Sequence, residues 1–460
     1  MFPSSSLHLL LLTCTLASFA SYLDSISGSK TDTANTSQFH EFFQNQNHNH
    51  TKLELVHRDQ ISSSTKFHNH THRFLSRMQR DVKRVAALTR LLSPAKSYEV
   101  ENLGTDLMSG YSLGFDEYLV RVGVGSPPTY QYLAIDTGSD VVWVQCQPCS
   151  RCYNQDDPVF NPTTSTSYSV VPCGSPACDA LNLDDRLCHA GKCGYKLKYG
   201  DGSYTEGTLM LETLMFGQKR ILNMAMGCGH NNQGSFNVIA GLLGLGGGKM
   251  SFVNQIPETG GAFSYCLADL GSRSPGWLAF GRGLYGAFPV GVAWAPLLRN
   301  HRAPSFYYVG LSGLGVGGVR VPISEDIFRL TQSGDGGVIM DTGTAVTRLP
   351  TVAYEALRDA FIAKTSSIPR VPSVSIFDTC YHLDEDNVEF PHISFYFSAG
   401  PILNLASYGY LTQVDGVGNF CFAFAPSPSR LSIIGNIQQA GIQISVDEAN
   451  GFIGFGPNVC

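Results

Sequence analysis

The feature that most constrains this chain is a short motif that occurs twice. Residues 133–143 read LAIDTGSDVVW, an apolar strand that delivers Asp136-Thr137-Gly138-Ser139 onto a tight turn. Residues 337–344 read GVIMDTGT, where a second apolar run delivers Asp341-Thr342-Gly343-Thr344. One Asp-Thr-Gly turn is ordinary, because Asp readily bonds its own backbone two residues on. Two copies in the same setting point to half-sites brought face to face. Carboxylates about 3 Å apart cannot both ionise, so they share one proton and split their titrations. One then takes a proton from water while its protonated partner polarises a carbonyl, which is general acid–base chemistry without a covalent intermediate. Ser139 and Thr344 stand where a hydroxyl can donate to each carboxylate's outer oxygen. Gly138 and Gly343 suit a backbone folded tightly behind the carboxylates.

A second repeated feature supports the pairing. AGLLGLGGGKMS (240–251) and LSIIGNIQQAGIQISVD (431–447) each carry an apolar-apolar-Gly step, at Gly244 and Gly435, downstream of one Asp. Each half thus holds the same two-part unit, an internal duplication. The chain supplies both half-sites itself, and a monomer is expected. Strand-forming Val, Ile, Tyr, Phe and Thr are punctuated by 48 Gly and 23 Pro, with a helix expected only at 351–364 after residue 100. The expected fold class is all-β (mainly β), in two lobes, because 460 residues exceed one usual core. Lys249 in its Gly-rich run is not a phosphate loop, since Met250 stands where Ser or Thr is required. GRGLYG at 281–286 is read as a turn, with Pro289 close behind.

The amino-terminal part differs in kind. Residues 1–20 carry an apolar run, Leu9–Leu12, before the small residues Ser18 and Ala20, as in a secretory signal peptide. That run is too short to span a bilayer, no other stretch is apolar enough, and the C-terminal GFIGFGPNVC lacks a lipid-anchor tail, so no membrane anchor is expected. Residues 21–72 are polar and His-rich, cannot bury a core, and carry sequons at Asn35, Asn49 and Asn69. From Arg73 to Leu92, Phe74, Met78, Val82 and Val85 recur at helical spacing while Arg77, Arg80, Lys83, Arg84 and Arg90 crowd the other faces. Residues 1–100 hold 11 Lys and Arg against 7 Asp and Glu, and the remainder holds 20 against 30. An acidic body behind a basic leader argues against nucleic acid as a partner and suits work at low pH.

Of 13 cysteines, Cys14 falls in the signal peptide and an even 12 remain. Two CxxC steps (Cys146, Cys149, Cys152) invite a metal reading, but the ligands that would complete a standard motif are absent and the chain enters the secretory pathway. Disulfides are expected, with a connectivity that spacing alone leaves open.

Asp136, Asp341 and their surroundings resemble the pepsin-like aspartic proteases over nearly everything after about residue 115. DTGSDVVWVQCQPC, DTGTAVTRLP and the Cys-rich insertion at 146–193 are similar to the plant nepenthesin-type branch. The resemblance implies a bilobal acid protease with lobes at 115–298 and 299–460. It implies a flap hairpin in KLKYGDGSYTEGTL, with Tyr199 over the scissile bond, Gly200 and Gly202 freeing the tip, and Asp201 at the turn or facing basic substrate side chains. Trp143 would hold the flap tyrosine. Residues 21–105 resemble an inhibitory prosegment, whose cations would lie in the acidic cleft until the carboxylates protonate. The implied disulfides are Cys146–Cys149, Cys152–Cys228, Cys173–Cys193, Cys178–Cys188, Cys266–Cys460 and Cys380–Cys421. The implied activity is a secreted endopeptidase acting on polypeptides without cofactor or metal, in the apoplast or else the vacuole or endoplasmic reticulum, with a part in drought or stress response. The alternative is an inactive protease-fold binding or inhibitor protein of the cell wall.

Overall fold

The computed structural model describes residues 53–58, 70–92, 118–199, 202–234, 236, 239–268, 275–281, 293–383 and 388–458. The expected signal peptide, the three sequons, Gly200, Asp201, most of the 281–286 turn and Cys460 lie outside the described residues.

Two leader elements precede the body. Strand β1 (Leu53–His57) alternates buried and less buried positions, as a strand laid onto a sheet does. It pairs antiparallel with β2 (Tyr118–Val124), Leu55 opposite Val120, and with strand Gly276–Phe280 on its other side. Helix α1 (His70–Leu92) buries Phe74, Met78, Val85, Leu88 and Leu92. Its neighbours come from the body: Phe74 and Met78 pack with Ala345, Val346 and Phe377, and Val85, Leu88 and Leu92 with Phe306, Tyr308 and Ile433. One expectation for this helix needs correction: Val82, placed on the apolar stripe, is exposed. Arg77 and Arg84 are buried on the docking face, in keeping with cations lying in an acidic cleft. The surface receiving α1 is acidic and polar at its centre, where Asp136 and Asp341 meet Arg84, and apolar at its two ends.

The body is built from two similar units. In the first, β2 turns into β3 (Thr129–Asp136) in an antiparallel register that sets Leu119 opposite Ala134. Strand Gly241–Gly244 then lies parallel to β3, with Gly244 opposite Asp136, and antiparallel to β4 (Trp143–Gln145). In the second unit, strand Val338–Met340 has Ser432–Ile434 parallel on one side and Tyr307–Val309 antiparallel on the other. Strands buried on both faces read as continuous apolar runs, which is why LAI and VIM precede the two aspartates. The two lobes share a sheet in which strand Ala262–Cys266 pairs with Ile442–Asp447, Tyr265 opposite Ile444. The helix at Thr351–Lys364 packs Leu357 and Phe361 into the core.

The cysteines pair differently from the expectation in the first lobe. Cys146 bonds Cys228, and Cys149 bonds Cys152. The cause is register: β4 runs parallel to strand Lys219–Gln233 with Val144 opposite Cys228, which brings the Cα atoms of Cys146 and Cys228 to 5.3 Å. Cys173 bonds Cys188 and Cys178 bonds Cys193, so both expected pairings here are also overturned. Cys178 and Cys193 are buried together in the second core cluster, while Cys188 is exposed and meets the half-buried Cys173. Cys380 bonds Cys421, its directly opposed partner on the neighbouring strand, as expected. Cys266 is disulfide-bonded.

Candidate active site

Each catalytic candidate sits where a buried strand ends. The Asp136 carbonyl accepts the Leu245 N–H at 2.8 Å, and the Asp341 N–H donates to the Ile434 carbonyl at 3.2 Å, so the apolar-apolar-Gly segments anchor both loops from behind. The loops are then bolted to each other. The Thr137 N–H donates to Thr342 Oγ1 at 3.2 Å, and the Thr342 N–H donates to Thr137 Oγ1 at 3.0 Å. This reciprocal pair crosses 205 positions of sequence and fixes the separation of the aspartates. Within each loop a glycine N–H turns back onto the carboxylate: Gly138 to Asp136 Oδ1 at 2.9 Å, and Gly343 to Asp341 Oδ1 at 3.2 Å.

The halves differ at the hydroxyl. Thr344 Oγ1 donates to Asp341 Oδ2, as expected. Ser139 Oγ is buried with no hydrogen-bond partner, contrary to the expectation that it serves Asp136. Asp136 Oδ1 draws its donors instead from the Gly138 N–H and from α1.

Arg84 of α1 enters the site directly. Its Nη2 stands 2.7 Å from Asp136 Oδ1 and 2.7 Å from Asp341 Oδ1, and its Nε donates to Asp341 Oδ2 at 2.8 Å. All three residues are buried, Arg84 at 6% exposure and the aspartates at 1% and 0%. One nitrogen reaching both carboxylates places them around a single point, the arrangement that the duplicated motif predicts. Gly138 and Gly343 matter here for space in front of the carboxylates: a Cβ on Gly138 would come within 2.8 Å of Arg84 Nη2. Burial pushes the Asp341 carboxyl up. The Arg84 charge and hydrogen bonds, with Thr344 and the Gly343 N–H, outweigh that and hold it below its ordinary value near 3.8.

Beside the dyad, the hairpin of Lys192–Lys198 and Tyr204–Phe216 carries Tyr199 at its turn. Trp143 Nε1 donates to Tyr199 Oη at 2.7 Å, and Phe236 packs edge-on against both rings. A cavity of about 810 Å³ runs between this hairpin and α1, lined by Asp136, Ser139, Tyr199, Arg84 and Leu88 among others. Among the described residues, no group of three or more His, Cys, Asp or Glu side chains is placed to hold a metal ion.

Comparison with known proteins agrees with this geometry. Protein ASPARTIC PROTEASE IN GUARD CELL 2 of Arabidopsis thaliana is 58% identical over 416 residues, covering 89% of this chain and 87% of that protein. Aspartic proteinase nepenthesin-1 of Nepenthes gracilis is 36% identical over 414 residues, covering 89% and 90%. The chain belongs to the aspartic protease family. In this family member, residues 118–282 match the family described as Xylanase inhibitor N-terminal and residues 306–457 that described as Xylanase inhibitor C-terminal. The fold is shared with the solved structure of edgp (TM-score 0.61, 19% identity, 76% of this chain and 93% of that one). It is shared also with Basic 7S globulin from soybean (TM-score 0.59, 18% identity, 74% and 92%).

Sequence reasoning passed over four residues of this aspartic protease's site. Thr137 and Thr342 were available as the second letter of each repeated triplet. Asp81 and Arg348 form a buried ion pair across α1 and the second loop; Arg348 stands inside the DTGTAVTRLP stretch, but nothing in the sequence singles out either residue or pairs them.

Proposed function

We propose that the chain is an aspartic endopeptidase, made as an inactive precursor and secreted to an acidic extracellular compartment, where it cleaves extended polypeptides as a monomer. Asp136 and Asp341 activate a water and protonate the leaving amine between them, while Tyr199 closes over the bound segment. The proton of the resting pair belongs to the coupled dyad rather than to either residue. The observation that carries this reading is the single Arg84 nitrogen within 2.7 Å of both carboxylates, since two acids around one point can serve one reacting atom. The same contact supports the precursor reading, because α1 sits on the catalytic groups themselves. The signal-like leader and the disulfides support passage through an oxidising pathway. A part in drought or stress response rests on the likeness to the guard-cell relative alone.

The xylanase-inhibitor description of both matched families favours a second reading, a protein of this fold that binds and does not cleave. The intact pair of aspartates, their interlocked threonines and Tyr199 weigh against it. The deciding experiment treats the purified full chain with acid and measures cleavage of a generic protein from pH 2 to 8, with and without pepstatin, beside Asp136→Asn. Acid-optimal, pepstatin-sensitive cleavage that the variant lacks establishes the protease. Absence of cleavage after verified leader removal establishes the binding protein.

A further inference from the structure

A second carboxylate of α1 is held by the body, outside the dyad. Asp81 lies one helical turn before Arg84. Its Oδ1 accepts the backbone N–H groups of Ala345 at 2.8 Å and Val346 at 2.9 Å, and its Oδ2 is paired with Arg348 Nη2. Arg348 is 5% exposed, and its Nε is buried without a hydrogen-bond partner. Two consecutive amides on one carboxylate oxygen and a guanidinium nitrogen on the other make a receptor for a carboxylate. Ala345 and Val346 follow directly on Thr344, whose hydroxyl donates to Asp341, so the receptor and the dyad share one loop.

The receptor belongs to the body, whereas its present ligand belongs to the leader. Departure of α1 removes Asp81 together with the flanking Arg77 and Arg84, leaving the Arg348 cation in the cleft wall without its counter-charge. A buried charge stripped of its partner is strongly unfavourable. We infer that, once α1 has left, Arg348 and the Ala345 and Val346 N–H groups bind the side-chain carboxylate of a substrate Asp or Glu. Asp81 is thus an internal copy of an acidic substrate residue. Its position follows from helix geometry: three residues of helix advance about 4.5 Å, a distance that one to two residues of extended chain cover. The acidic residue therefore lies within about two positions of the scissile bond. The inference rests on the protease reading above and adds a side-chain preference to it.

The test uses paired peptides with Glu or Gln at each position within two residues of the cleavage point. With the acid-activated full chain, kcat/KM at pH 5.5 is expected to favour one Glu peptide by about tenfold or more, the scale of a charge-assisted hydrogen bond. The advantage should shrink towards unity at pH 3, because a Glu side chain titrates near about 4.3. Arg348→Gln should abolish it and Arg348→Lys should retain part of it. Equal kcat/KM for every pair at pH 5.5, or a preference that survives Arg348→Gln, overturns the inference. A binding arm removes the dependence on turnover. Full-length Asp136→Asn is cut at a protease site added between Leu92 and Tyr118, and the peptides compete with the noncovalent leader. Stronger displacement by a Glu peptide than by its Gln partner supports the receptor, and equal displacement overturns it. Failure of the wild-type chain to cleave any peptide strikes the protease reading instead, and this arm still decides the receptor.

Discussion

Arg84 grips Asp341 side-on, with Nε on Oδ2 at 2.8 Å and Nη2 on Oδ1 at 2.7 Å. Such a bidentate fork is among the strongest pairings two side chains can make. Here it is made with almost no water around it, and Nη2 is shared with Asp136. The helix therefore does more than shade the cleft: its guanidinium fills the space between the carboxylates that a reacting atom would need.

Removing that cation should loosen the leader before anything else. In Arg84→Met, two buried carboxylates face a methyl group, and breaking a buried pair on one side costs about 3–5 kcal/mol. The expected result is leader release, and cleavage of a peptide substrate, beginning at a higher pH than in the wild-type chain. Arg84→Lys keeps the charge but loses the fork and should fall between them. Onset of activity against pH, followed alongside leader release by gel filtration, checks the order; identical onsets in all three would mean that Arg84 does not hold α1.

The direction of the pH dependence follows from Asp341. With Arg84 docked, its carboxyl lies below its ordinary value near 3.8. A depressed acid contributes to the docked state in full above that ordinary value, and the contribution drains away as pH falls through the depressed one. The leader should stay bound at pH 6 and detach progressively below about pH 4. Protection of α1 amides from hydrogen exchange, measured across that range in Asp136→Asn to prevent self-cleavage, should fall with acid. Protection that falls towards neutral pH instead would reverse the sign.

What the sequence made legible, and what it hid, divides along the same line. The dyad could be read because its determinants are local: a strand, a carboxylate and a tight turn, written twice. The Tyr199–Trp143 contact came through family resemblance, since neither residue announces its partner across 56 positions. Arg84 was visible only as one cation among several on a basic helix: the prosegment resemblance sent those cations to the acidic cleft as a group, and spacing did not say which one meets the aspartates. Its burial depends on an acidic cleft that forms only when both lobes are folded. The Cys-rich insertion fails for a related reason: the partner of Cys146 is set by the parallel register of β4 against Lys219–Gln233, a non-local choice that CxxC spacing does not encode.

The threonine interlock should be a stability element. Thr137→Val keeps the shape, removes the acceptor of the Thr342 N–H, and leaves that N–H buried and unpaired. Such a loss costs roughly 1–3 kcal/mol. Thr342→Val should cost about the same, and the double variant less than the sum, because the two hydroxyls serve one junction. Thermal unfolding of the four proteins measures this directly; strict additivity would mean the two bonds are independent.

Trp143 and Tyr199 should act on catalysis through position. Tyr199→Phe leaves the ring against Phe236 but deprives the Trp143 N–H of its acceptor, a loss of about 1 kcal/mol in flap placement. The expected effect is a several-fold fall in kcat/KM. Trp143→Phe should mimic it, since it breaks the same bond from the other end, and the pair should show strong coupling in a double-mutant cycle. Independent effects would place the two residues in separate roles.

The disulfide correction can be settled chemically. Proteolysis of the unreduced protein followed by mass spectrometry should recover one peptide pair joined through Cys146 and Cys228 and a short loop closed by Cys149 and Cys152. The two connectivities also differ in what they stabilise. Cys146–Cys228 joins residues 82 positions apart and ties β4, which carries Trp143, to the strand beside it. In the chain-entropy account a closed loop of that length is worth about 4.5 kcal/mol, against much less for a bridge across three residues. Replacing Cys146 and Cys228 together by Ala should therefore lower the unfolding midpoint well beyond the same change at Cys149 and Cys152. It should also loosen the Trp143–Tyr199 bond, raising KM more than it lowers kcat. If the Cys149 and Cys152 pair proves the costlier loss, the long bridge is not the one that holds the flap's support in place.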